Sequence, residues 1–100
     1  MHEEQITLKD GVARGFVIPL GPVNLVGAVA PRGIVGCGAI DVQALEKFGY
    51  PAARVKPTRG DSIASVGDLL AGEIKEVNPS AATLGVTVGS SGRQALDLLC

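Results

Sequence analysis

The segment 23–30 limits the fold of this chain most strongly, because it is apolar almost throughout and only Asn24 interrupts it. Alternate residues of a β-strand point to opposite faces of the sheet. A strand over this segment is therefore apolar on both faces, which is typical of a strand covered on both sides. A chain of 100 residues forms a single domain, 1–100, with one small core. We therefore expect one face of this strand to meet another subunit.

Further strands are predicted on both sides of this segment. Ile6 and Leu8 alternate with polar residues, which is the pattern of a strand with one buried face. Asp10-Gly11 is a favoured pair for a two-residue hairpin turn, and 12–20 is predicted as the returning strand. A fourth strand is predicted over 34–39. The first 40 residues are thus predicted to form an antiparallel β meander.

Capping residues predict four short helices in the remaining part of the chain, about 41–100. Their N-caps are Asp41, Ser65, Asn78 and Ser91. The first helix is expected to run to about Phe48, with Phe48 on its apolar face. Short strands are predicted over 52–56 and 73–77. The fold class that follows is α+β, with short helices packed on or beside the β meander.

Charge and composition exclude several classes of partner. Nine basic residues balance ten acidic ones and only three residues are aromatic, so a nucleic-acid-binding surface is not expected. No apolar run reaches the length of a membrane span, and the acidic start after Met1 is unlike a signal peptide. We expect a cytoplasmic protein in which Cys37 and Cys100 remain free thiols. Cys100, at the chain end, is expected to react readily.

Three stretches of the sequence resemble the YunC-like domains, a family of bacterial and archaeal domains of unknown function. They are GIVGCGAID at 33–41, DLLAGEIKEV at 68–77 and LGVTVGSSGRQAL at 84–96. The resemblance implies a β-rich N-terminal part that mediates the formation of a tetramer. It implies no activity, because none is established for the family.

Cys37, Gly38 and Asp41 are the first group of candidate site residues, at the end of the fourth predicted strand. Cys37 is interpreted either as a small apolar residue packed in the strand or as a thiol nucleophile beside a helix N-terminus. The negative charge of Asp41 disfavours a thiolate, and Asp41 is explained by helix capping alone. Gly38 belongs to a G-x-x-G-x-G pattern, which is not the order of a dinucleotide-binding loop.

Ser91 and Arg93 are the second group, in a glycine-rich loop before the last helix. Hydroxyl groups and an arginine at a helix N-terminus suit an anion, although Ser91 with Gln94 also forms a capping box. No cofactor is predicted. A metal site is not predicted either, because one histidine, His2, and two distant cysteines lack the spacing of zinc ligands.

Two classes of function follow from the sequence. The first is a homo-oligomeric assembly or small-ligand-binding domain, with a tetramer expected and no catalytic motif. The alternative is a small enzyme or ligand binder that uses Cys37 and Asp41 in a cleft between subunits. An open pocket shared by Cys37, Asp41 and a base, such as Lys56 or His2 of the partner subunit, would favour the enzyme. A sealed Cys37 would favour assembly.

Overall fold

The structure is a computed structural model that describes residues 1–58 and 60–100. Six strands form one sheet in the order of the sequence. The strands are β1 His2–Thr7, β2 Val12–Pro19, β3 Asn24–Ala30, β4 Gly33–Gly36, β5 Ala52–Lys56 and β6 Glu73–Val77. The helices are α1 Val42–Glu46, α2 Val66–Ala71, α3 Pro79–Thr83 and α4 Gly92–Leu98. The predicted α+β class is confirmed.

The first four strands form the predicted antiparallel meander. In the first hairpin, the Leu8 N–H donates to the Gly11 carbonyl at 2.8 Å and Thr7 pairs with Val12. The centre of that turn is therefore Lys9-Asp10, one residue earlier than the sequence pattern predicts. The hairpin register still buries Ile6 and Leu8, as the alternation requires.

The sheet continues beyond the meander through a parallel pair. β4 and β5 are parallel, and α1 lies in the connection between them. β5 and β6 are antiparallel, with a register irregularity between Arg54 and Val55. The two short strands of the second half thus belong to the same sheet as the meander, and β6 forms its edge.

One face of this sheet carries the core. Helices α2 and α4 pack on it: Val66 of α2 lies against Gly15 of β2, and Leu99, directly after α4, lies against Gly33 of β4. The largest fully buried side chains of the protein are Leu69, Ile74, Leu96, Leu99, Val26, Val35, Val42, Val86 and Asn78. The core is aliphatic, with a single buried polar side chain, Asn78, among the residues described.

The opposite face divides into two parts. Over β5, helix α1 covers it, and Ala52, which pairs with Ile34 on this face, is buried. Over β2, β3 and β4 it carries a set of apolar side chains that we call the open face, namely Val12, Phe16, Ile18, Leu25, Val29 and Ile34. Val12 is 47% exposed and Val29 is 38% exposed, and the other four are half-buried. Segment 23–30 is thus covered by the chain itself on one face only, where Val26 and Ala28 are buried.

Two further local predictions differ from the structure. Helix α1 ends at Glu46, and a tight turn carries the chain to Gly49, which adopts the left-handed conformation at φ +65°. Phe48 lies in that turn and is 82% exposed, so it is not part of an apolar helix face. Strand β4 ends at Gly36 instead of residue 39, because the Ile40 N–H donates to the Cys37 carbonyl and turns the chain.

The sequence also places a loop at 57–61. Arg59 of that loop lies outside the described residues. Within the described ranges, no helix is long and apolar enough to cross a membrane.

Candidate functional site

A cleft of about 320 Å³ opens where β4 and β5, the two parallel strands, reach their carboxyl ends. In open sheets with parallel strands this edge is a common place for a ligand. The residues of the described chain that line it are Val23, Asn24, Cys37, Gly38, Ala39, Arg54, Val55, Lys56, Pro57, Asp61, Ser62, Ile63 and Lys75. We call it the strand-end cleft.

Cys37 follows β4 directly and lies at the wall of this cleft. Its N–H donates to the Val26 carbonyl at 3.0 Å, which holds it beside β3. The residue is only 7% exposed and belongs to the core cluster. This burial matches the packed-residue interpretation of Cys37. Ala39, expected on the same strand face, is exposed because β4 has already ended.

Asp41 acts as the N-cap of α1. Its Oδ1 accepts the Ala44 N–H at 3.0 Å, as the capping interpretation predicts. It lines a separate, shallower depression of about 240 Å³ that shares Gly38, Ala39 and Arg54 with the strand-end cleft. Cys37 and Asp41 therefore lie near one another but face different cavities.

The two candidate bases, Lys56 and His2, also lie in different places. Lys56 lines the strand-end cleft together with Cys37. His2 lies on β1, the far edge strand of the sheet, where its ring nitrogen is 3.0 Å from the Glu4 carboxylate. Within one chain, the combination of thiol, Asp41 and base in one pocket is thus incomplete.

Arg54 and Glu76 form a short charged hydrogen bond at this end of the sheet. Arg54 Nε donates to Glu76 Oε1 at 2.6 Å across the β5–β6 pair. Gln43 of α1 donates to the other carboxylate oxygen of Glu76 at 3.0 Å. These two hydrogen bonds, first that of Gln43 and then that of Arg54, lower the pKa of Glu76. Glu76 is therefore held as a carboxylate and fixes the guanidinium.

Gly38 gives access to that guanidinium. A Cβ atom built on Gly38 would lie 3.9 Å from Nη1 of Arg54, with no closer neighbour. Gly38 itself is exposed, and its φ is not positive. Arg54 and Gly38 both line the strand-end cleft and the depression beside Asp41, so the guanidinium lies at the border of these two cavities.

The other two cations of the cleft come from neighbouring strands. Lys56 Nζ is 3.6 Å from the Glu73 carboxylate, an exposed pair of modest strength. For Lys75, no carboxylate of residues 1–58 or 60–100 lies within 4.0 Å of the ammonium group. Lys75 lies at the register irregularity of β6, which places it next to the cleft rather than in the strand pairing.

A loop closes the other side of the strand-end cleft. Pro57, Asp61, Ser62 and Ile63 line it, and Ile63 is buried. The loop is tied to the sheet by the Asn24 side chain, which donates to the Ala64 carbonyl at 2.9 Å. Pro57 and the segment 61–63 thus form a wall of the cleft.

Ser91 and Arg93 lie outside this cleft, at the start of α4. Ser91 Oγ accepts the Gln94 N–H and Gln94 Oε1 accepts the Ser91 N–H, so the predicted capping box is present. Arg93 Nη1 lies 3.5 Å from the Thr7 carbonyl oxygen. The polar groups proposed for an anion therefore serve contacts within the chain.

Arg54 and Lys75 are site residues that the sequence analysis missed. Arg54 is a charged residue between the apolar residues Ala53 and Val55 of the short strand 52–56, and this is the signal that could have found it. In the described part of the chain, no group of three or more His, Cys, Asp or Glu residues is placed to hold a metal ion. The chemistry available in the strand-end cleft is therefore cationic, with a thiol in its wall.

Comparisons with known proteins agree with this fold. The model of a family described as "Domain of unknown function (DUF1805)" matches residues 36–99. A crystal structure of a protein of unknown function, TA1206 from Thermoplasma acidophilum, superposes with a TM-score of 0.86 at 23% identity. The alignment covers 99% of this chain and 92% of that protein. No curated protein matches the sequence.

Proposed function

The chain belongs to the DUF1805 family, the YunC-like domains of unknown function, and we propose that it is a homo-oligomeric assembly domain that associates through its open face. The observation that carries this proposal is the set of apolar side chains on β2, β3 and β4 that no helix of the described chain packs over. An apolar surface of this extent favours association in water.

A second copy of this chain is the occupant that we propose for the open face. The charges at its margin suit self-association, since Glu3 of β1 and Arg14 of β2 lie on the same face as Phe16. A two-fold axis through the face brings the same surface of both copies together, so these opposite charges can pair across it. A two-fold contact through the open face forms a dimer, and the tetramer that the YunC-like resemblance implies joins two such dimers through a second contact of the β-rich N-terminal part.

Sedimentation velocity of the purified protein tests this proposal. We expect a species four times the 10.2 kDa mass of the chain. A single 10.2 kDa species at micromolar concentration would show that the chain does not self-associate.

A substitution pair locates the interface. Val29→Glu places a carboxylate at the centre of the open face, opposite Arg14 on the neighbouring strand, which can neutralise it within the folded monomer. Val88→Glu is the matched control, because Val88 is also exposed but lies in the loop before α4. We expect Val29→Glu to dissociate the oligomer and Val88→Glu to leave it intact. Equal sedimentation of both variants would place the interface elsewhere.

A further inference from the structure

We propose that the strand-end cleft binds a small organic anion, a carboxylate or a phosphate ester, whose charged group is held between Arg54 and Lys75. This inference concerns a site formed within one chain and does not depend on the oligomeric state. It rests on the arrangement of cations, on the balance of charges around them and on the shape of the cleft.

Three cations from two adjacent strands line the cleft, namely Arg54, Lys56 and Lys75. Such a concentration of positive charge in a concave site attracts an anion. Arg54 is oriented before any ligand arrives, since Glu76 holds its Nε and leaves the Nη groups free to form charged hydrogen bonds. A planar guanidinium fixed in this manner suits the oxygens of a carboxylate or phosphate.

The residues that line the cleft itself carry three cations and one carboxylate, that of Asp61, and two further carboxylates lie beside these cations. Glu76 accepts hydrogen bonds from Arg54 and Gln43, and the Glu73 carboxylate lies beside the Lys56 ammonium group. Asp61 lines the cleft wall. Lys75 has no carboxylate of the described chain within 4.0 Å. Among the described residues, Lys75 is thus the cation of the cleft that forms no close ion pair, although its charge also acts on Glu76.

The apolar side chains in the walls of the cleft favour an organic ligand. Val23, Val55, Pro57 and Ile63 give the cleft apolar sides, and the buried Cys37 adds a small, soft surface. A volume of about 320 Å³ is at the lower end of the range for small-molecule sites. The ligand class is therefore an anion with a short apolar part rather than a bare inorganic ion.

Gly38 gives a way to block the site without changing its charge. A side chain at Gly38 would point toward Arg54 Nη1, and the backbone conformation there accepts an L-residue. Gly38→Val should therefore fold normally while it fills the approach to the guanidinium. Lys75→Gln removes the free cation, and Lys47→Gln, at an exposed lysine after α1, is the matched control.

The test is a titration followed by amide NMR spectra at constant ionic strength. The probes are sodium butyrate, phenyl phosphate and inorganic phosphate, with sodium chloride as the reference. We expect saturable shifts at the amides of Gly38 and Ser62 with butyrate, phenyl phosphate or both, and weaker binding of inorganic phosphate. Saturation by butyrate alone identifies a carboxylate site, and saturation by phenyl phosphate alone identifies a phosphate-ester site.

The variants decide whether the proposed groups are responsible. Loss of one charged hydrogen bond should weaken binding about tenfold in Lys75→Gln. Gly38→Val should abolish saturation, and Lys47→Gln should bind like the wild type. Two results would overturn the proposal: shifts no larger than those caused by chloride, or equal affinity of Lys75→Gln, Gly38→Val and the wild type.

Discussion

Asn78 and Ala52 are joined in both directions, since the Ala52 N–H donates to Asn78 Oδ1 and the Asn78 N–H donates to the Ala52 carbonyl, each at 3.1 Å. The side-chain NH₂ of Asn78 donates to the carbonyls of Val42 at 2.9 Å and Tyr50 at 2.8 Å. Oδ1 also accepts the Ala81 N–H as the cap of α3. One buried amide thus connects α1, β5 and α3.

Asn78→Ala should destabilise the protein by about 3–5 kcal/mol, because several buried backbone groups lose their partners at once. The measurement is urea unfolding at a fixed protein concentration, since association changes apparent stability. Asn24→Ala is the control, because Asn24 makes one side-chain hydrogen bond, to Ala64. We expect it to cost about 1 kcal/mol. Similar losses in both variants would contradict this account.

Glu76→Gln should reduce stability more at neutral pH than in acid. The hydrogen bonds from Gln43 and Arg54 lower the pKa of Glu76 below its ordinary value of 4.5. The folded protein therefore binds fewer protons than the unfolded chain just below pH 4.5, and stability rises with pH there. The carboxylate contributes fully above pH 4.5, and the contribution is lost as the pH falls through the lowered pKa.

Urea unfolding of the wild type and Glu76→Gln at several pH values measures this difference. The stability gap between the two proteins should close on acidification. Gln43→Ala removes the larger of the two hydrogen-bond effects on the pKa of Glu76. It should therefore also reduce stability more at neutral pH than in acid, but by less than Glu76→Gln does. A gap that stays constant from neutral pH into acid would exclude the proposed role of Glu76.

The two cysteines should differ in alkylation by iodoacetamide. Cys37, measured in Cys100→Ala, should react slowly until the protein unfolds, because it is buried against β3. Cys100, measured in Cys37→Ala, should react faster than Cys37. However, burial followed by the charges of Asp97 and Asp10 raises the pKa of the Cys100 thiol above its ordinary 9.0.

The labelling rate of Cys100 should therefore still rise above pH 9.0. This revises the expectation of a freely reactive chain-end thiol, since Cys100 is half-buried against Gly11. Fast labelling of native Cys37 at neutral pH would contradict its packed position and would favour a reactive thiol in the cleft.

Ser91→Ala should cost about 1 kcal/mol, because it removes the acceptor for the Gln94 N–H at the start of α4. Thermal unfolding measures the change. Ser62→Ala is the control: Ser62 is exposed in the cleft loop and caps no helix, so its loss should be within about 0.5 kcal/mol. A melting curve of Ser91→Ala that overlies the wild type would show that the cap contributes nothing.

Local features of the sequence predicted much of this fold. Alternation around Ile6 identified β1, and the cap residues Asp41 and Ser91 marked the starts of α1 and α4. These signals depend on neighbours within a few residues. Phe48 shows the limit of the approach, because helical spacing alone does not tell where a five-residue helix ends.

The strand-end cleft was beyond the reach of such patterns. It joins Cys37, Arg54 and Lys75 from three separate segments, through a parallel β4–β5 pair that no local sequence signal specifies. Cys37 and Gly38 were identified because they lie near the end of the fourth predicted strand, shortly before the cap residue Asp41, although the strand ends earlier than predicted. To identify Arg54 and Lys75 as site residues, one must know the register of β5 and β6. That register includes the irregularity that directs Lys75 toward the cleft.

The position of Asn78 before Pro79 has a consequence for the chemical ageing of the protein. Asparagine deamidates when the backbone nitrogen of the next residue loses its proton and attacks the side-chain amide. Proline has no N–H, so this route to aspartate is closed at Asn78. Asn24, the other asparagine, precedes Leu25 and keeps the route open. The Asn78 amide, which connects α1, β5 and α3, is therefore protected from deamidation by this route.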